Sequence, residues 1–438
     1  MEKTITDFLE DDFSSSALYL SYRSLPSVAD GLKQSHRKAV YTIKKKNIKD
    51  RQKVSQFGPL VAAETDYLHG DISIIGAITT LAQDYAGTNN LPLLVADGNF
   101  GTRFSHDPSA PRYIFTYPQK YFSSLFRKED DCNLITQIFE GGVIEPRFYT
   151  PTLPMVLVNG CTGIGVGFAS KILPRDPKSM IKVIKATLDG KKVNNDWFKP
   201  SFKGFTGSVE GGADNKWFIK GAATLKGTKL TITEIPVSYS LSDYLTILKK
   251  LKEKEVIVKY SDSSEDDKFK FEVVLSATEA IKDLDTIMMD LKLIVPFTES
   301  LTCLDENNAI TEYDNPKAIF DAYYKIKISY MEKRILSEIE RLTKEAANFK
   351  EVYSFIKDVI DGRINLKLKK AEVEKQIKAR GYVNVEKLLN MPLISITEER
   401  AAEAKSKWEA KEAELEVMKH ETPSSLWKKD LDELEKLI

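Results

Sequence analysis

The chain has 438 residues, with 64 basic and 64 acidic side chains that cancel. That length exceeds one compact core, so several domains are expected, and the neutral balance excludes a surface that binds polyanions everywhere while leaving room for a local basic patch. Three scattered cysteines, four histidines without metal spacing, no run of about 18 apolar residues and no N-terminal hydrophobic core exclude a disulfide scaffold, a zinc site and a membrane protein, so a soluble, cytoplasmic chain is expected.

Apolar residues Leu32, Ala39, Val40 and Ile43 predict a helix over 32–48. Nine cations between Lys33 and Lys53 (Lys33, Arg37, Lys38, Lys44, Lys45, Lys46, Lys49, Arg51, Lys53) face a single acid, Asp50. They suit either a solvated helix face or a surface that tracks phosphates. A second helical pattern, 66–86, contains the turn His69-Gly70-Asp71 and the stripe Ile74, Ile75, Ile78, Leu81, Ala82. A glycine-punctuated loop follows, Asp97-Gly98-Asn-Phe-Gly101, where backbone can approach a partner closely.

Prolines and glycines then mark irregular backbone between Pro151 and Gly167. Residues 229–235 and 269–275 alternate like strands, and a short helix is expected over 241–251. From Pro316 the chain turns helical. Ile328, Met331, Ile335, Ile339, Leu342, Ala346 and Phe349 recur every three or four residues, predicting a helix roughly 65 Å long to Asp361. A second long helix is expected after Pro392, capped by Ser395 with Glu398 and interrupted by Pro423. Two long helices joined by about 35 residues should pair antiparallel. The fold class is therefore mixed α+β and multidomain, with divisions at 1–145, 146–305 and 306–438.

The segment Ser109-Ala-Pro-Arg112-Tyr113-Ile-Phe-Thr116 carries the chemistry. A phenol titrates near ~10 and is a poor nucleophile at neutral pH. A neighbouring guanidinium can hold a phosphate bidentately and stabilise the charge that develops during attack. Arg112 beside Tyr113 therefore suits phosphoryl transfer onto tyrosine, although a single tyrosine is more often a packing aromatic. Gly163-Ile-Gly165-Val-Gly167 has dinucleotide-loop spacing, yet no βαβ unit or ribose-binding acid follows, and it reads as backbone clearance.

Taken together, these stretches resemble the DNA cleavage and rejoining subunit of type IIA topoisomerases, the gyrase A and topoisomerase IV group. Arg23-Ser-Leu-Pro-Ser-Val-Ala-Asp-Gly-Leu-Lys33-Gln-Ser-His36-Arg37 is similar to the start of that family's winged-helix domain, Tyr67-Leu-His69-Gly-Asp to its H-x-H-G-D turn, and Asp97-Gly-Asn-Phe-Gly101 to a shortened D-G-x-G-N-F-G loop. Ser109 to Thr116 resembles the active-site segment in its eukaryotic form, and Leu157-Val-Asn-Gly160 through Ile172-Leu-Pro174 the N-G-x-x-G-I-x-x-G run. Met391 to Thr397 and Thr422 to Leu434 resemble the returning helix of its coiled coil. Tyr67 stands where the first histidine of the turn is expected, and Ser27 where an aspartate is. The compact length resembles the medium subunit of T-even-type bacteriophage enzymes, and an end at Ile438 would leave out a gyrase-type DNA-wrapping domain, implying relaxation rather than negative supercoiling.

The resemblance implies a winged-helix cleavage domain over 1–145, an α/β tower over 146–305, and an antiparallel coiled coil over 306–438 with a helical exit-gate insert near 362–392. It implies that Tyr113 attacks a DNA phosphorus and forms a 5′-phosphotyrosyl link, that Arg112 clamps the phosphate, and that His69 hydrogen-bonds the reacting region. Arg23 and Lys33 would contact phosphates, Arg37 and Lys38 would position the duplex, and Ile172 would wedge between base pairs. The histidine could instead be a structural cap, and Ile172 a core residue. Partners would be double-stranded DNA, a second copy of the chain, and an ATPase/Toprim large subunit. That large chain would hold ATP and Mg²⁺, since no Gly-x-x-x-x-Gly-Lys-Ser/Thr loop or metal-binding cluster is assigned in this sequence. The alternative is a non-catalytic DNA-bridging scaffold of condensin type, which would need an ATPase signature and no Arg112-Tyr113.

Overall fold

The computed structural model describes residues 4–212 and 214–438. They form two compact units, 1–328 with 428–438, and 329–427, so residues 1–145 and 146–305 share the first.

In the first unit, an N-terminal helical stretch ends in the helix Ser14–Ser24. The cation-rich segment folds as the helix Gln34–Lys46, which closes on Asn47 in the left-handed region, φ 50°. Asparagine tolerates that conformation better than most residues. The helices Val54–Glu64 and Asp71–Ala82 pack with it around Val40, Val54, Phe57, Ile74 and Ile78, all buried. The second is shorter than its sequence pattern, because Gly70 begins it in extended backbone and Gln83 ends it. A two-stranded ribbon, Gln52–Lys53 against Phe115–Thr116, ties the start of this helical cluster to the Arg112-Tyr113 segment.

Three antiparallel sheets follow. One has the order Ile310–Glu312, Ser300–Leu304, Ala169–Ile172, Cys161–Ile164. A second has the order Ile294–Thr298, Lys216–Lys220, Ser208–Gly211. The third comprises Ile257–Asp262, Phe271–Leu275, Lys229–Glu234 and Ala222–Lys226. Period-2 alternation buries Leu230, Ile232, Phe271, Val273 and Leu275 on one face, against Tyr244 and Leu248 of the helix Leu241–Glu253.

Glu299 lies between two strands that belong to different sheets, and it is fully buried. It accepts from the Leu173 amide at 2.7 Å, from both terminal nitrogens of Arg175 at 2.8 and 2.7 Å, and from Trp217 Nε1 at 2.9 Å. Arg175 also donates to Phe198 O at 3.0 Å. Lys327, in the first part of the long helix, is anchored inside this unit by Asp130 at 3.0 Å and Thr150 O at 2.7 Å.

The long helix runs Pro316–Ile360, 45 residues, close to the predicted span. In the second unit it meets the helix Glu398–Lys419 in antiparallel register. Lys411 lies 3.6 Å from Glu345, Tyr353 stacks on Trp408 at 6.1 Å, and Lys357 reaches Glu398 at 2.8 Å. Between them the helices Lys370–Ala379 and Val385–Leu389 close over Phe355, Ile364, Val373, Ile377 and Leu388. The returning helix is capped by Thr397, whose hydroxyl accepts from the Arg400 amide, rather than by Ser395, which lies in a preceding 3-10 turn. Pro423 opens a separate helix, Pro423–Glu435, where its fixed φ suits a first turn.

Removing one member of a buried ion pair leaves the other charge uncompensated. Glu299→Ala is expected to cost about 3–5 kcal/mol in urea unfolding followed by tryptophan fluorescence. Glu272→Ala, which breaks an exposed pair with Lys229, should leave the unfolding midpoint close to that of the unaltered chain.

Candidate functional site

Pro111 to Tyr113 form a turn in which the Tyr113 amide donates to Ala110 O at 2.9 Å. The turn is braced from two sides. The first amides of the helix Val54–Glu64 need acceptors outside the helix, and they find them here: Val54 N donates to Ile114 O at 3.1 Å and Ser55 N to Pro111 O at 3.2 Å. On the other side, Asp97 and Phe115 exchange both backbone hydrogen bonds, and Ser109 N donates to Asn99 O. Gly98 has φ +111°, and a Cβ there would meet Ile114 at 3.0 Å, so the glycine loop packs directly under the segment.

The result is a rigid backbone with two outward side chains. Ile114 is buried, while Tyr113 is 65% exposed. The Arg112 guanidinium lies 4.8 Å from the Tyr113 ring centroid. Among the described residues neither side chain makes a hydrogen bond or an ion pair within the protein. The phenol oxygen and the guanidinium donors are therefore open to a phosphate.

His69 and Arg23 meet in a second cluster. Tyr19 Oη and His69 Nε2 share a hydrogen bond at 2.7 Å, and the His69 ring lies 5.3 Å from that of Tyr67. Arg23 donates to Ser73 Oγ at 3.0 Å, as does Tyr67 at 2.9 Å. Partial burial, with the cations Arg23 and Lys38 nearby, lowers the His69 pKa below its ordinary 6.5, so the ring is neutral at neutral pH and keeps an acceptor nitrogen. No contact among the described residues joins this cluster to Tyr113.

Lys33 is half-buried, and its ammonium donates to Thr162 O at 2.7 Å. Arg37 and Lys38 correct the expectation placed on them. Arg37 is buried, paired with Asp30 at 2.8 Å and donating to Leu32 O. Lys38 is buried between Glu145 at 2.8 Å and Thr65 O at 2.7 Å. Both side chains are committed to partners inside the protein, because the helix Gln34–Lys46 is covered over a wider arc than its apolar stripe. The cations beside the Arg112-Tyr113 turn are instead Arg51, exposed and ion-paired with Asp97, and half-buried Lys53, at 3.6 and 5.7 Å from the Phe115 ring centroid. The sequence places both in the basic run, but only ribbon pairing brings them to this segment.

Ile172 is also corrected. It is 4% exposed and pairs with Cys161 at the base of the hairpin. Ile164, at the other end of the same hairpin, is 75% exposed. The glycines flanking it clear protein rather than DNA: a Cβ on Gly163 would lie 2.2 Å from Ser24 O, and one on Gly165 2.9 Å from Ser21 Oγ.

Chemically, the site offers an exposed phenol, an adjacent guanidinium, separate cations and a projecting apolar side chain. Among the described residues no group of three His, Cys, Asp or Glu side chains could hold a metal ion. No helix among them is long and apolar enough to cross a membrane.

Fold and site together define a mixed α+β protein organised around an exposed tyrosine–arginine turn. A profile of the DNA gyrase/topoisomerase IV A-subunit family matches residues 23–432, and the chain belongs to this family. It is 30% identical to DNA topoisomerase 2, mitochondrial, of Dictyostelium discoideum, over 100% of this chain and 35% of that protein. It is 32% identical to DNA topoisomerase 2-alpha of Gallus gallus, over 98% and 30%. A DNA topoisomerase 2 of Invertebrate iridescent virus 6 is 28% identical, over 100% and 39%. The chain thus spans about a third of the length of these relatives. A crystal structure of the Plasmodium falciparum topoisomerase II DNA-binding, cleavage and re-ligation domain superposes with a TM-score of 0.90 at 28% identity, covering 98% of this chain and 64% of that one.

The electrostatics of the second cluster can be read directly. In an NMR titration the His69 ring should protonate below pH 6.5, and Arg23→Gln should move its midpoint upward, because a neighbouring positive charge has been removed.

Proposed function

We propose that this chain is the DNA-cleaving and rejoining part of an ATP-dependent type II DNA topoisomerase. The observation that carries the reading is the Arg112-Tyr113 turn, braced in its backbone and, among the described residues, without a hydrogen bond or ion pair to either side chain, in a chain of this family. The Tyr113 oxygen loses its proton and bonds to a backbone phosphorus. The bond from phosphorus to the 3′ oxygen breaks, and that oxygen leaves as a 3′ hydroxyl. One phosphodiester replaces another, so the reverse attack reseals the strand without an outside energy source. Arg112 holds the non-bridging oxygens as charge builds on them.

Neutral His69, with Arg23, hydrogen-bonds the sugar–phosphate backbone near the cut, and Lys33, Arg51 and Lys53 add positive charge along its path. Ile164 takes the wedge role, since an exposed apolar side chain at a hairpin tip can enter a base step and bend the duplex. Two copies acting on opposite strands make the staggered double-strand break through which a second duplex passes, relaxing or decatenating DNA. ATP binding and Mg²⁺ belong to an ATPase/Toprim partner, where the ion would stabilise charge on the reacting oxygens.

In this reading residues 1–145 are the winged-helix cleavage domain, 146–305 the tower, and 306–438 the coiled coil with its exit gate near 362–392. Val383 and Ile394, 85% and 87% exposed, are apolar side chains in or beside that gate segment and suit a second contact between copies. The condensin-type alternative draws no support from the family match.

With partner, DNA and Mg²⁺ present, Tyr113→Phe should abolish covalent protein–DNA adducts on denaturing gels while leaving duplex binding within about twofold, since only one hydroxyl is lost. Adducts that survive the substitution would remove Tyr113 from the role. Arg112→Ala should slow adduct formation by about 10²–10³ with little change in binding.

A further inference from the structure

The hairpin that carries Ile164 is seated on one helix at backbone distance. Its strands Cys161–Ile164 and Ala169–Ile172 pair Gly163 with Ser170 and Ile164 with Ala169. Successive residues of a strand face opposite sides. Gly163 faces the C-terminal end of the helix Ser14–Ser24, and Ile164 therefore faces away from it. Neither Gly163 nor Gly165 has positive φ, so close approach is what makes glycine necessary at both. Ser21 is 1% exposed, and its hydroxyl accepts from the Val166 amide at 3.4 Å. Lys33 holds the same strand from beside the contact, through Thr162 O at 2.7 Å.

We propose that Ser21 and the Ser24 backbone are the positioning surface for the Ile164 wedge, setting how far that side chain stands out toward the duplex. Ser21 touches no DNA. It acts through the hairpin, and its small side chain defines the gap in which Gly165 lies. The same helix carries Tyr19 and Arg23, which reach His69 and Ser73. One rigid element thus sets the relative position of the wedge and the phosphate-facing cluster. The inference rests on the reading of Ile164 as the wedge, and the test separates the two.

The experiment uses the full chain and a short duplex with a fluorophore at each end. Energy transfer reports bending, anisotropy on the same duplex reports affinity, and thermal melting reports folding. Ser21→Thr adds one methyl on the helix side of the contact, and Gly165→Ala adds one on the hairpin side. Each should lower the ratio of bent to straight duplex about tenfold, as expected for overfilling a tight contact, with affinity changed less than about threefold. Ser21→Ala, which keeps the gap, should bend DNA like the unaltered chain. Combining either overfilling variant with Ile164→Ala should lower bending no further than Ile164→Ala alone, because both act through one wedge. The positioning proposal is overturned if folded Ser21→Thr and Gly165→Ala bend DNA normally while Ile164→Ala does not. If Ile164→Ala itself bends DNA normally, the wedge reading fails first and takes the proposal with it. If overfilling at either residue unfolds the chain, Ser21→Ala combined with Gly165→Ala restores space within the contact, and normal bending by that folded pair supports the proposal while lost bending refutes it.

Discussion

The first unit depends on one buried carboxylate. Glu299 sits where a strand of the three-stranded sheet passes into a strand of the four-stranded sheet, and it accepts four hydrogen bonds, from Leu173, from Arg175 twice, and from Trp217. Burying that charge is costly, and the cost is offset only because every acceptor site is used. Leu173 directly follows the hairpin that presents Ile164, so the base of the hairpin is tied to the joint between sheets. A flexible anchor there would let the exposed tip drift. Rigid supports behind exposed functional side chains recur throughout this unit.

The Arg112-Tyr113 turn shows the same division of labour. Its backbone satisfies the unpaired amides at the start of the helix Val54–Glu64 and pairs with the glycine loop, while among the described residues the Arg112 and Tyr113 side chains make no hydrogen bond or ion pair. Stability is supplied by main chain, and reactivity is left to side chains. The buried pairs Arg37–Asp30 and Lys38–Glu145 extend this logic: two cations of a conspicuously basic segment hold the helix in place, while Arg51 stays exposed on its pair with Asp97.

Much of the architecture could be read from the residues. The long helix was legible because its seam repeats over many turns, and the strands 229–234 and 271–275 because alternation and β-branched residues agree. The short helix Asp71–Ala82 and the Thr397 cap were less so, since a local pattern fits several neighbouring boundaries and hydrogen-bond geometry selects one. At the site, Arg112 and Tyr113 could be paired because they are adjacent in the chain. Arg37, Lys38 and Ile172 could not be placed, because each has a residue type that serves equally in a buried pair, a core or a nucleic-acid surface. A partner far along the chain, Glu145, made the choice for Lys38, and packing around the base of its hairpin made it for Ile172.

What the amino-acid order determined on its own is local and periodic: the antiparallel helices, the glycine-rich turns, and a phenol beside a guanidinium in a segment that cannot be helix. What tertiary structure decided is direction, meaning which cations point inward and which of two isoleucines on one hairpin stands in solvent. The reason is that exposure is a property of long-range packing. A strand's alternation says that two residues face opposite ways, but only the helix Ser14–Ser24 lying against Gly163 says which way is out.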